Sequence, residues 1–189
     1  MHHPFEPLYD EHSQILILGT FPSVKSRENN FYYAHPHNRF WKVLAHLKEH
    51  ATPSSIPEKI AFLKHHRIAL WDVIAQCDIV GSSDQSITNV TPNDIASLLQ
   101  KSHVSHIFAN GAKAYELYQT YCEPHTKQPC IKLPSTSPAN ATYTFERLLH
   151  EWKQHFDGIC VLPSSSRLCS FFNQSHCLTR VIMPHHSFL

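Results

Sequence analysis

Glycine is scarce in this chain, with four among 189 residues. Phosphate-cradling loops of the P-loop and Rossmann kinds need glycines at fixed spacings. Neither G-x-x-x-x-G-K-[ST] nor G-x-G-x-x-G occurs, so both are excluded. Serine is plentiful, yet none sits in a G-x-S-x-G elbow, which argues against a serine hydrolase of that kind. The six cysteines (Cys77, Cys122, Cys130, Cys160, Cys169, Cys177) include no C-x-x-C pair, so reduced thiols are expected rather than a zinc or iron–sulfur site. His35-x-His37 lacks a nearby carboxylate or thiol, and neither a metal nor a cofactor is expected. No apolar run approaches the ~18–20 residues that span a bilayer. The first residues lack a basic segment followed by an apolar one. The expectation is a cytoplasmic, monomeric chain without a signal peptide or membrane contact.

Net charge is +1, too small to name a partner. The 17 histidines occur mostly singly, and the doublets at 2–3, 65–66 and 185–186 read as surface composition. Periodicity is more informative. The runs QILILG (14–19), RIALWDVI (67–74), VSHIFAN (104–110) and PCIKL (129–133) read as strands. Helical spacing marks 39–49, 57–66, 91–100 (Thr91 as cap, Pro92 in the first turn), 112–121 and 142–156. Four alternations of strand and helix predict a parallel sheet with helices on both faces, and ligands then sit at the carboxyl ends of the strands. Residues 157–189 show no clear period and no acidic residue after Asp157, and read as an appendage to a domain of residues 1–156, apart from a short strand at GICVL.

The loops after those strands are unusual. GTFPSVKSRENNFYYAHPHNRFW (19–41) holds six aromatic rings and three asparagines, far more than a connection of 2–6 residues needs. Lys25, Arg27, Arg39 and Lys42 face only Glu28 there, a local charge suited to a phosphate backbone. Asp72 and Asn110 each end a strand. PSTSPAN (134–140) places short hydroxyls between prolines, a composition that suits a rigid phosphate clamp at Ser135, Thr136 and Ser137.

Taken in order, LILGTFPSVKS…YYAHPHNRFW, IALWDVI…GSSDQSI and LPSTSPANA resemble the DNA-deoxyinosine (hypoxanthine-DNA) glycosylases of the uracil-DNA glycosylase superfamily, over roughly residues 4–155. The resemblance implies a three-layer α/β/α fold around a central four-stranded parallel sheet. It also implies a monofunctional enzyme that hydrolyses the N-glycosidic bond of a deaminated base, in double- or single-stranded DNA, and leaves an abasic site. Where other branches carry an aspartate or asparagine in the first motif, this sequence has Phe21. The resemblance places catalysis instead on Asn38, after the AHP element.

Such an enzyme must flip a nucleotide and hold its base by stacking and edge hydrogen bonds. The expected base contacts are Thr20, Phe21, Tyr33, Asp72 and Asn110. Ser23 and Lys25 join Ser135, Thr136 and Ser137 at the DNA backbone. Each has a plainer alternative. Asn38 precedes a helix, where Asn is among the best caps. Phe21 fits a core, Tyr32 and Tyr33 fit the underside of their loop, Asp72 fits a cap on loop amides, Asn110 fits an Asn-Gly turn, and Asn140 fits a cap on the last helix. A uracil- or mismatch-directed relative and a non-catalytic nucleic-acid-binding module are the rival functions.

Overall fold

The computed structural model describes residues 1–157 and residue 159. Its strands are β1 (Ile15–Gly19), β2 (Ile68–Asp72), β3 (Ile74–Asp78), β4 (Thr88–Pro92), β5 (His106–Asn110) and β6 (Cys130–Leu133). Its helices are α1 (Val24–Glu28), α2 (Phe40–Leu47), α3 (Ile56–His65), α4 (Ile95–Gln100), α5 (Ala112–Leu117), α6 (Glu123–Thr126) and α7 (Phe145–Phe156). Four strands form one parallel sheet in the order β2-β1-β5-β6, while β3 and β4 make a separate antiparallel ribbon.

Side chains alternate between the faces of a strand. In β1, Ile15 and Ile17 join Ile68, Leu70 and Phe108 on one face, packed by α2, α3 and α7. Leu16 and Leu18 join Ala69, Ile107 and Ala109 on the other, packed by α4 and α5. An uninterrupted apolar run is what a strand covered on both faces requires. The result is the three-layer α/β/α fold with four parallel strands. Trp152 of α7 is fully buried, and its Nε1 donates to the Pro134 carbonyl at 2.9 Å, which ties the last helix to the loop after β6. No helix among the described residues is long and apolar enough to cross a membrane.

Four expectations change. RIALWDVI is not one strand: β2 ends at Asp72, and β3 turns away to pair antiparallel with β4. Asn93 holds that corner, its Nδ2 donating to the Asp72 and Ile74 carbonyls. Thr91 and Pro92 therefore lie in β4, and α4 is capped by Asp94, whose carboxylate accepts from the Ser97 amide at 3.0 Å and its hydroxyl at 2.6 Å. The helix expected over 112–121 leaves α-geometry after Leu117, passing through a π-turn at Tyr118–Cys122 into α6. Finally, α7 starts at Phe145 with Thr144 as its cap, its hydroxyl accepting from the Arg147 amide at 3.3 Å, so Asn140 is not the cap. Apart from Asp157 and Ile159, the expected appendage, with its short strand, lies outside the described residues.

Candidate functional site

The carboxyl ends of β1, β2, β5 and β6 meet around a cavity of about 140 Å³. That is below the ~300 Å³ typical of drug-sized ligands, a scale suited to a single ring system. Phe21, Tyr33, Asn38, Asp72, Asp84 and Asn110 all reach it, as do the hydroxyl-bearing Thr20, Ser23, Ser135 and Ser137. Residues spread over more than a hundred positions are thus gathered at one edge of the sheet.

The floor comes from adjacent strand ends. Gly19 pairs in register with Asp72, and the Asp72 carboxylate lies across it. A Cβ on Gly19 would stand 2.1 Å from Asp72 Oδ1 and 2.9 Å from the Tyr33 hydroxyl, so only glycine permits this approach. Asp72 is 4% exposed, and its Oδ2 is 2.8 Å from His3 Nε2. His3 is the residue that sequence reasoning assigned to surface composition. Its side chain is 4% exposed, and the ring meets Phe21 edge-on at 5.8 Å between centroids. His3 Nδ1 lies 2.9 Å from the Phe5 carbonyl and 3.1 Å from the Phe5 amide, and Nε2 donates to the Asp72 carboxylate. Nothing in the spacing of a terminal His-His pair signals such a role; only the fold brings it 69 positions to its partner.

Tyr33 stacks on Phe40 at 3.9 Å and adopts a left-handed φ of 51°. Its hydroxyl oxygen is buried and, among the described residues, has no hydrogen-bond partner. Burial, and next the Asp72 charge, push its ionisation far above the ordinary tyrosine value, partly countered by the Asn110 amide, so the group is a neutral donor. Tyr32 packs beneath the loop, 3% exposed, while still touching the cavity, and its hydroxyl donates to the Glu6 carbonyl at 2.9 Å. Phe21 is 9% exposed, shared between the core on one side and the cavity on the other.

Asn38 lines the cavity, and its Oδ1 accepts the Phe40 amide at 3.0 Å. The capping alternative is therefore partly realised, although Arg39 occupies the formal cap position of α2. A carboxamide oxygen has two lone pairs, so one remains for a ligand.

The rim is organised by Arg39. Its Nη2 donates to the Ser137 carbonyl at 2.8 Å and the Asn140 carbonyl at 3.0 Å, its Nη1 to that of Tyr143, and its backbone amide to Thr136. Sequence reasoning had set Arg39 against phosphate; instead its guanidinium is spent on carbonyls. Arg27 is similar, donating to the Pro22 and Gly81 carbonyls. Thr136 also departs from expectation. It is fully buried, its hydroxyl accepting from Asn110 Nδ2 and its amide donating to Asn110 Oδ1, both at 2.9 Å. Its side chain is withdrawn from any backbone phosphate. Asn110, expected at the base edge, has both amide atoms engaged in that clasp while still touching the cavity. Asn140 braces the same loop, its Nδ2 donating to the Ser135 carbonyl.

Of the remaining backbone candidates, Ser23 lines the cavity while capping α1, its hydroxyl oxygen accepting from the Ser26 amide at 3.2 Å. Lys25 is exposed, stands outside the cavity lining, and pairs with Glu28 at 2.7 Å. Burial pushes the thiols of Cys122 and Cys130 up to about 11 and about 12, so neither is a nucleophile at neutral pH. Among the described residues no cluster of three or more His, Cys, Asp or Glu could hold a metal ion.

A three-layer α/β/α domain with an aromatic, amide-lined cavity at the carboxyl edge of its parallel sheet defines a class of ligand-binding α/β domain. Comparison with known proteins makes the class specific. The family model of the uracil DNA glycosylase superfamily matches residues 6–157. A hypoxanthine DNA glycosylase of Methanosarcina acetivorans is 34% identical over 154 residues, covering 80% of this chain and 96% of the relative. One from Methanosarcina barkeri is 32% identical over 114 residues, 59% of this chain and 72% of that one. A solution NMR structure from Methanosarcina acetivorans, described as a candidate uracil DNA glycosylase, superposes with a TM-score of 0.71 at 33% identity, covering 82% of this chain and 97% of the other. The chain belongs to the uracil DNA glycosylase superfamily, and it is a DNA glycosylase.

Proposed function

We propose that this glycosylase removes hypoxanthine from deoxyinosine in DNA by hydrolysing its N-glycosidic bond, leaving an abasic site. The observation that carries the reading is the meeting of Asn38, Phe21, Tyr33 and Asp72 at one ring-sized cavity, in a chain whose relatives are named hypoxanthine DNA glycosylases. Phe21 supplies the stacking face for a flipped base. The free Tyr33 hydroxyl donates to an oxo group, and Asp72 accepts from the neighbouring ring N–H. Together they match the oxo and ring N–H edge of a deaminated base and mismatch adenine, which carries an amino group beside an unprotonated nitrogen. Ser135 and Ser137 on the rim meet the DNA backbone.

Cleavage builds positive character on the sugar and negative charge on the departing base. Asn38 Oδ1, with one lone pair on the Phe40 amide, holds water with the other and aims it at the sugar carbon. The Tyr33 donor stabilises charge accumulating on the base. The test is strand scission at abasic sites after incubation with duplexes containing one deoxyinosine, one deoxyuridine, or neither. The expected result is scission of the inosine duplex, lost about 10³-fold in Asn38→Ala, equivalent to ~4 kcal/mol of barrier, with DNA binding retained. Scission of the uridine duplex alone would transfer the specificity to uracil, whose edge presents the same oxo and N–H pair. Binding without release of any base would sink the proposal.

A further inference from the structure

When water attacks a sugar carbon, a proton is lost from that water and a group must take it. An amide such as Asn38 orients water and is not basic enough to hold its proton. Among the described residues two carboxylates, Asp72 and Asp84, reach the cavity, and their surroundings differ. Asp72 is buried and bound to His3. Asp84 begins a single 3-10 turn (Asp84–Ser86) on a solvent-exposed stretch. Its Oδ2 receives one hydrogen bond, from the Thr20 hydroxyl at 3.3 Å, and no other donor among the described residues reaches it.

That turn is anchored although it is exposed. Ile87 is buried in the core, the Ser86 hydroxyl accepts from the Val80 amide at 2.9 Å, and the Ser82 hydroxyl accepts from the Val24 amide at 2.9 Å. Arg27 holds the Gly81 carbonyl. Thr20 then delivers the carboxylate to the turn after β1, beside Phe21. A loop 64 positions away thus presents an open carboxylate at the place where a flipped base is stacked.

We propose that Asp84 is the general base of the reaction, accepting the proton of the water that Asn38 holds. This rests on the base-excision reading given above. As the water oxygen bonds to C1′, its O–H bond breaks toward Asp84. The bond from C1′ to the base nitrogen breaks with its electron pair on the base, and the proton passes from Asp84 to the departing base, so that both products leave neutral. Although Asp84 is solvent-exposed, partial desolvation where its carboxyl faces the cavity holds it above the usual carboxylate range. The Thr20 hydrogen bond opposes that shift, Asp72 adds to it, and Lys113 opposes it; Tyr33 faces the same space. A base works best when its pKa lies near the working pH, and this environment moves Asp84 in that direction.

The experiment is single-turnover excision from a deoxyinosine duplex between about pH 4.5 and 8, together with affinity for a duplex carrying an uncleavable 2′-fluoro analogue. In wild type, excision falls as Asp84 is protonated at acid pH. Asp84→Asn is expected to slow excision about 100-fold and to abolish that acid limb, with affinity changed less than about twofold. Thr20→Val removes the hydrogen bond to the carboxylate and is expected to move the acid limb to higher pH. An Asp84→Asn rate within about threefold of wild type, a retained acid limb, an unmoved limb in Thr20→Val, or a rate loss matched by lost affinity would each overturn the role. If wild type and Asp84→Asn release hypoxanthine alike, this role alone falls. If wild type releases no base, the excision reading falls and takes the role with it.

Discussion

The floor of the cavity and its rim are held together by different means. On the floor, Asp72, Gly19 and Tyr33 are brought together by strand register and ring stacking, and His3 closes the arrangement from the N-terminal segment. Every participant is buried or nearly so, and one charge is matched by one partner. On the rim, Ser135, Ser137 and Asn140 belong to a loop without regular structure, and its carbonyls converge on the guanidinium of Arg39. The floor is a site of high electrostatic stakes, where a missing partner is costly. The rim is a set of separate hydrogen bonds, each modest and jointly sufficient to fix a loop. In the proposed function the base is read where errors are costly, and the DNA backbone is met where small adjustments are tolerated.

The sharpest way to break that contrast is His3→Ala. It leaves the Asp72 carboxylate buried without its donor, a defect worth about 3 kcal/mol. Urea unfolding followed by circular dichroism should show that loss, and excision should fall alongside it. A variant as stable as wild type would mean that water or a local shift satisfies Asp72, and the floor would then be no more demanding than the rim.

Arg39→Met probes the rim. Carbonyls of Thr136, Ser137, Asn140 and Tyr143 lose their common donor while the floor is untouched, for an expected cost of about 2 kcal/mol. Because Asn38 is the preceding residue, excision should drop roughly tenfold more than stability alone explains. Equal binding and equal turnover in a well-folded Arg39→Met protein would show that the loop holds its shape without the guanidinium.

The smallest effect lies away from both regions. At the end of α3, burial, with smaller contributions from His65, Lys48 and His50, lowers His66 from 6.5 to about 4. A histidine depressed in the folded state favours folding as the neutral ring. Its contribution is full above pH 6.5 and is lost as pH falls toward 4. Melting temperature should therefore decline across that window, and His66→Gln should flatten the decline without altering excision at neutral pH. An unchanged slope would assign the acid sensitivity elsewhere.

Much of the fold was legible because its signals are local. ILIL is apolar at every position, as a strand covered on both faces must be, and the stripe of Leu148 and Trp152 identifies α7. The gathering of loops at the carboxyl edge follows from parallel topology. The turn at Val73 was not legible, since RIALWDVI is uniformly strand-like and the break depends on Asn93, twenty positions away. Nor could a helical pattern over 112–121 reveal the π-turn. Among the candidate residues, Asn38, Phe21, Tyr33, Asp72 and Asn110 all reach the cavity, whereas Thr136 turned inward, because the loop needs a buried hydroxyl to clasp Asn110.

Sequence alone determined the class of fold, the edge of the sheet that carries the site and the aromatic and amide character of its lining, because these follow from periodicity and from residue types close together in the chain. Tertiary structure alone decided how those residues are used. The His3–Asp72 pair, the Thr20–Asp84 bond and the convergence of carbonyls on Arg39 join positions 64 to 104 residues apart. Such pairings depend on where the folded backbone places each side chain and on the burial that makes an unpaired polar group costly, and neither is written in any short stretch of sequence.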